Sequence, residues 1–182
     1  MEECPIRILI ISLAFLLPVN ANAYFIDYLK LQYAGEIGFM SLGIGHKFTK
    51  KYTLEYFHGY VPPEIGGHEI ETFSIKNNYS FYTYERWNHF VNFYLGANLY
   101  HVAGLDYQTS RHSNFPSEYY RLGSIRGLFY TGLQVGSSKK SYHFGYFEGG
   151  LNDIVITNYY NNPDVIDPVE YISLALGYGY MF

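Results

Sequence analysis

The sequence predicts an all-β chain, an eight-stranded antiparallel up-and-down transmembrane β-barrel that follows a cleaved signal peptide. Three observations predict it. In residues 171–182, Ile172, Leu174, Leu176, Tyr178, Tyr180 and Phe182 alternate with Ser173, Ala175, Gly177 and Gly179. That is a period-two strand with large residues on one face and small ones on the other, as suits lipid outside and a narrow filled lumen inside. The composition agrees: 20% aromatic with 22 Tyr and 18 Gly, but 15% charged against about 25% in average usage. Finally, no apolar run after residue 17 is long enough for a helical span, which excludes a helical membrane protein.

Residues 8–17 (ILIISLAFLL) are apolar apart from one Ser and lead to Pro18 and Ala21-Asn22-Ala23. The run is too short to span a bilayer and precedes an A-x-A site, so residues 1–23 read as a signal peptide and 24–182 as the barrel domain. Its first residues carry Arg7 against Glu2 and Glu3. Cys4 is the single cysteine and leaves with the leader. The mature chain is thus expected to use no disulfide, thiol or Cys-ligated metal. It keeps 11 basic and 14 acidic side chains, a net −3, which argues against a nucleic-acid partner.

Eight strands follow in order. Leu29, Leu31 and Tyr33 alternate with Lys30, Gln32 and Ala34, and residues 35–38 turn or bulge. Met40, Leu42 and Ile44 oppose Ser41, Gly43 and Gly45 in the second, before a polar turn at 49–51. The third sets Thr53, Glu55 and Phe57 against Leu54 and Tyr56 and stops at Pro62-Pro63 and Gly66-Gly67, which forbid a continuing ladder. In the fourth, Phe73, Ile75, Tyr79 and Phe81 face away from Thr72, Ser74, Lys76 and Asn78, and residues 82–87 are expected to turn the chain. The fifth opposes Val91, Phe93, Leu95, Ala97 and Leu99 to Asn92, Tyr94, Gly96 and Asn98, and an irregular stretch covers 104–118. A sixth runs from about 119 to 135, with Ile125, Phe129, Leu133 and Val135 opposite Ser124, Arg126 and Gln134. After a turn at 136–140 comes a seventh, with a bulge expected at Gly149-Gly150. A loop over 158–167 precedes the last strand.

Compact connections (49–51, 82–87, 136–140) alternate with longer ones (61–68, 104–118, 158–167), as when one barrel end faces the periplasm and the other the outside. Side chains just fill an eight-stranded lumen, so no open pore is expected. Inward charges must pair. Folding the third strand on the fourth brings Glu55 to Lys76, with Asn92 in the same layer; folding the sixth on the seventh brings Arg126 to Glu148. Two lumenal polar clusters are expected.

The last strand resembles the closing strand of bacterial outer-membrane β-barrels, whose signal runs polar-x-Gly-x-x-apolar-x-apolar. Gly177, Tyr180 and Phe182 match it, and Ala175 departs from it. The stretches AGEIGFMSLG (34–43) and LEYFHGYVPPEIGG (54–67) are similar to a group of uncharacterised small eight-stranded outer-membrane proteins. The resemblance covers about the first half of the mature chain and implies fold and location without an activity. Arg111-His112-Ser113-Asn114, with Glu118 beyond, holds the parts of a hydrolase triad. It is similar to the His-x-Ser-Asn stretch of barrels that deacylate lipid A. Here His112 and Ser113 are adjacent, so a strand would aim them at opposite faces; the bland reading, polar loop residues, weighs more. His46, His58, His68, His89, His101 and His143 lack metal-ligand spacing and suit strand ends. Asp153, Asp164, Asp167 and Glu170 read as a solvated acidic loop rather than a cation site.

The leading expectation is therefore a non-enzymatic, monomeric barrel of the cell outer membrane, presenting 61–68, 104–118 and 158–167 for adhesion, recognition or envelope integrity. No cofactor or metal is expected. Its partners would be outer-membrane lipids and lipopolysaccharide, and the barrel-assembly machinery through the last strand. One rival is a lipid A-modifying acyl hydrolase or acyltransferase using His112, Ser113 and Glu118. The other is a secreted lipocalin-like barrel, which requires an apolar interior.

Overall fold

The computed structural model describes residues 26–67, 69–103, 125–137, 142–161, 163 and 167–182. Residues 1–25, which hold the expected leader and Cys4, and the segment 104–124 lie outside the described residues. Eight antiparallel strands close into one barrel: β1 (Tyr28–Ala34), β2 (Met40–Lys47), β3 (Tyr52–Val61), β4 (Ile70–Arg86), β5 (His89–Ala103), β6 (Ile125–Ser137), β7 (Tyr142–Asn152) and β8 (Ser173–Met181). Each pairs with the next in sequence, and β8 returns to β1 through Tyr28↔Met181 to Ala34↔Ala175. No helix among the described residues is long and apolar enough to cross a membrane, which says nothing about strands.

The barrel is inside out relative to a water-soluble one. Outward positions are mostly aliphatic or aromatic, and many are bare: Leu42 is 60% exposed, Leu99 64%, Phe129 60% and Leu176 61%. Inward positions bury Lys30, Gln32, Glu55, Lys76, Asn78, Asn98 and Glu148. The outward face of the strands carries charge only at Glu71 and Arg86, at opposite ends of β4.

Two kinds of connection mark two rims. At one, residues 48–51 close on Tyr52, whose carbonyl accepts from the Phe48 and Thr49 amides. At the same rim β4 passes into β5 through Trp87 and Asn88, with φ of 54° and 66°, two left-handed residues as a type I′ hairpin demands. The turn expected over 82–87 is thus corrected, since residues 82–86 continue the strand and pair with 89–93. A register shift between Ser80 and Tyr82 leaves Phe81 as the extra residue. Phe81 and Tyr82 then both lie against Phe93 on the outside, and the broken alternation mimics a turn.

The opposite rim carries the longer connections. Helix α1 (Pro63–Gly66) follows Pro62 and ends at Gly67, whose φ of 74° lets its amide reach the Pro63 carbonyl. Instead of a bulge at Gly149-Gly150, β7 keeps unbroken register on both neighbours. It runs directly into helix α2 (Asp153–Asn161), where a loop was expected from 158. A 3-10 turn, Pro168–Tyr171, is capped by the Asp167 side chain accepting from the Val169 amide. The β1–β2 connection folds inward and buries Ile37 to 1% exposure. Gly59 makes the room, because a Cβ there would collide with the Ile37 carbonyl.

One packing device recurs four times in the lumen. A tyrosine lies flat over a glycine of the adjacent strand and hydrogen-bonds a polar side chain one strand further on. Tyr28 crosses Gly45 to Glu55 (2.7 Å). Tyr94 crosses Gly132 to Glu148 (2.9 Å). Tyr130 crosses Gly96 to Asn78 (2.5 Å). Tyr146 crosses Gly177 to Gln32 (3.2 Å). At each of these glycines a Cβ would come within 2.2 Å of a tyrosine ring carbon, an outright clash. Glycine weakens a strand, and the ring that replaces its side chain returns buried apolar contact and a satisfied hydroxyl.

Candidate functional site

The chemistry-bearing residues that the strands bring together form a band of charge at mid-lumen. Lys30 Nζ meets Glu55 Oε1 at 2.6 Å, with both side chains at or below 4% exposure. Lys76 Nζ pairs with Glu148 across the barrel and donates to Gln32 Oε1 at 2.7 Å. Tyr28 donates to Glu55, and Tyr94 to Glu148. The Lys30 ammonium stands 4.3 Å from the Tyr146 ring centre and that of Lys76 4.8 Å from the Phe57 ring centre. Two cations and two anions thus cancel within one aromatic cage, the condition for burying charge at bearable cost. Below the long-connection rim, Ile37, Phe57, Tyr100, Leu128 and Tyr130 form one apolar cluster. Glu36 accepts there from Tyr100 Oη at 2.9 Å and Asn152 Nδ2 at 3.2 Å. The band and this cluster fill the lumen at mid-height.

Among the residues singled out from sequence, Glu55 and Lys76 are direct cross-strand neighbours, yet each takes its ion pair elsewhere. Glu148 belongs to the same band. Arg126 does not reach it: Glu148 stands opposite Gly132, six residues further along β6, and Arg126 sits beside Tyr100 near the long-connection rim. Asn92 is also displaced, since Asn98 is the β5 residue level with Lys76. It lies nearer the short-turn rim and bonds Ser80, Thr83 and Gln134. The two clusters expected are instead one charged band and one separate amide–hydroxyl group.

Lys30, Gln32 and Tyr94 were missed as members of the band. Their inward facing was readable from alternation, but their partners were not, because each bonds beyond its adjacent strand: Lys30 lies beside Gly43 of β2 and Tyr94 beside Gly132 of β6, while Gln32 accepts from Lys76 and Tyr146. Tyr28 and Lys30 of β1 thus pass over a whole strand to reach Glu55 of β3.

His112, Ser113 and Glu118 lie outside the described residues. Among those described, no three His, Cys, Asp or Glu side chains are grouped as metal ligands. His46 pairs with Asp27 at 2.9 Å, His58 stacks on Phe73 at 4.8 Å, and His143 contacts Tyr178. Asp167 caps a helical turn, and Asp153 opens α2 and accepts from the Gly127 amide. In β8, Gly177 lies under the Tyr146 ring, and Tyr180 meets Phe182 edge-on at 5.5 Å.

No protein-family model, curated protein or solved structure matches the chain. The reading of function therefore rests on the barrel and its distribution of polarity.

Proposed function

We propose that the protein is an integral β-barrel of a bacterial outer membrane that does no chemistry in its lumen and presents its longer connections to the outside. The observation that carries this is the inverted polarity: a continuous apolar outer wall around a lumen holding two lysines and two glutamates. Water-soluble monomers seldom expose apolar patches beyond a few hundred Å², and a lipocalin-like carrier needs the opposite arrangement. Strands of 7–17 residues bracket the 9–11 that a tilted transmembrane strand needs. Aromatic residues at both rims, Tyr33 and Tyr60 at one and Tyr52, Tyr82, Tyr84 and Trp87 at the other, suit the two interfaces.

With the lumen filled at mid-height among the described residues, no open pore is expected, and recognition is left to the connections around 61–68, 104–118 and 158–167. The short-turn rim, where β1 begins and β8 ends, faces the periplasm in this arrangement. Outer-membrane lipid and lipopolysaccharide contact the wall, and β8 engages the assembly machinery. Fractionated membranes run on a gel unheated and boiled test the reading. Expected are an outer-membrane location, a mobility shift on boiling, and cleavage of the longer connections by protease added to intact cells. A soluble periplasmic protein without a shift would overturn it.

A further inference from the structure

The lumen is not filled to both ends. At the short-turn rim a cavity of about 200 Å³ opens downward from the charged band. Its floor is the Lys30–Glu55 pair, and one oxygen of that carboxylate is already engaged. Glu55 Oε1 accepts from both Tyr28 and Lys30, whereas the buried Oε2 makes no hydrogen bond to the protein. One wall is the amide–hydroxyl group, with Asn92 bonded to Ser80 and Gln134. Another is aromatic, with Phe90 and Tyr142 packed edge-to-face at 5.3 Å.

The mouth carries Lys47. Its ammonium touches the Met181 sulfur at 2.9 Å and the Tyr142 hydroxyl at 3.3 Å, and among the described residues it forms no ion pair. Lys50 adds a second cation to the lining, and Asp27, which accepts from the Lys47 amide at 2.6 Å, and Glu85 bring counter-charge near Lys47. The ammonium itself touches only a thioether and a phenol, and an anionic group in the cavity would supply the direct charge-assisted bond it lacks. Planar amides and aromatic faces are what a polyhydroxylated ring requires: donors and acceptors for its hydroxyls, and flat apolar surface for its C–H face. We propose that this vestibule binds a single monosaccharide-sized ring bearing one negative group, with the anion at Lys47 and its hydroxyls on the Asn92 and Gln134 amides. The site depends on the lumen and not on which membrane surrounds it, so its failure and that of the outer-membrane reading are separable.

The chain supplies its own reporter. Met181 lines the cavity, whereas Met40 faces outward near the other rim. Protein carrying 13C-methyl methionine, folded in detergent micelles and checked by gel mobility, would be titrated with glucuronate, glucose 6-phosphate, glucose and inorganic phosphate. Expected is a saturable shift of the Met181 signal with the two sugar anions, no movement of Met40, and affinity for glucose or phosphate at least about tenfold weaker. Lys47→Gln should weaken the sugar anions about tenfold or more, Lys50→Gln less, and Glu85→Gln should tighten them. No Met181 shift with either sugar anion would overturn the proposal. So would equal affinity for phosphate alone, which marks a bare anion site, or for neutral glucose. Unchanged affinity in both lysine variants would remove the anion from Lys47.

Discussion

Replacing Gly132 by Ala tests the packing that builds the lumen. Gly132 has no left-handed φ, so alanine fits the backbone, but its Cβ would enter the Tyr94 ring. The ring must swing away, and its hydroxyl then leaves Glu148. Overpacking costs about 1–3 kcal/mol, and the lost bond to a buried carboxylate about 1.5–3 kcal/mol. The substitution should therefore cost roughly 2.5–6 kcal/mol. With Tyr94 already replaced by Ala the ring is gone, and Gly132→Ala should gain about 0.5–1 kcal/mol from strand entropy alone. Gly145→Ala is the control, because its nearest neighbour, the Gly177 carbonyl, is 4.0 Å from the added Cβ. It should be neutral or mildly stabilising. Equilibrium urea titrations in lipid vesicles, read by the unheated mobility of the folded barrel, give the free energies. Equal cost of Gly132→Ala in both backgrounds would refute the idea that the ring occupies the missing side chain's place.

Three further predictions follow from the same geometry. Lys76→Met strands Glu148 in the lumen and should cost about 3–5 kcal/mol, most of it recovered in the double variant with Glu148→Met; the same titration reads both. Asn88, at φ 66° in the two-residue hairpin, should accept Gly with little change, while Asn88→Val costs about 1–2 kcal/mol; shifted urea midpoints at constant slope would show it. Leu95→Arg, near the middle of the outer face of β5 (His89–Ala103), should cost about 2–4 kcal/mol in a bilayer. A negligible cost there would mean that this face meets water.

Period-two alternation made most of the strands legible, because a barrel wall with one apolar and one polar face writes its pleat into the sequence. Legibility failed where that period is interrupted or bypassed. At Phe81 the bulge puts two successive aromatics outside, and continuing strand then looks like a turn. At Gly149-Gly150 the opposite error arises, since paired glycines suggest a break that the register does not contain. The lumenal pairs needed more than facing. Joining Arg126 to Glu148 requires the β6–β7 hairpin to fold about three residues earlier than it does, and alternation alone cannot set that distance. Lys30 and Glu55 meet because the strand between them carries glycine where it would block them, a relation visible only once three strands are in register.

The central claim is that the alternating faces of these strands meet different media. The only cysteine in the sequence is Cys4, so single cysteines can be placed along β8 and spin-labelled in a chain carrying Cys4→Ser and refolded into vesicles. Collision with oxygen and with a water-soluble paramagnetic reagent would be measured at Leu174, Ala175 and Leu176. The account predicts high oxygen and low aqueous accessibility at 174 and 176, and low values for both at 175. Free collision of the aqueous reagent at 174 and 176 would contradict it.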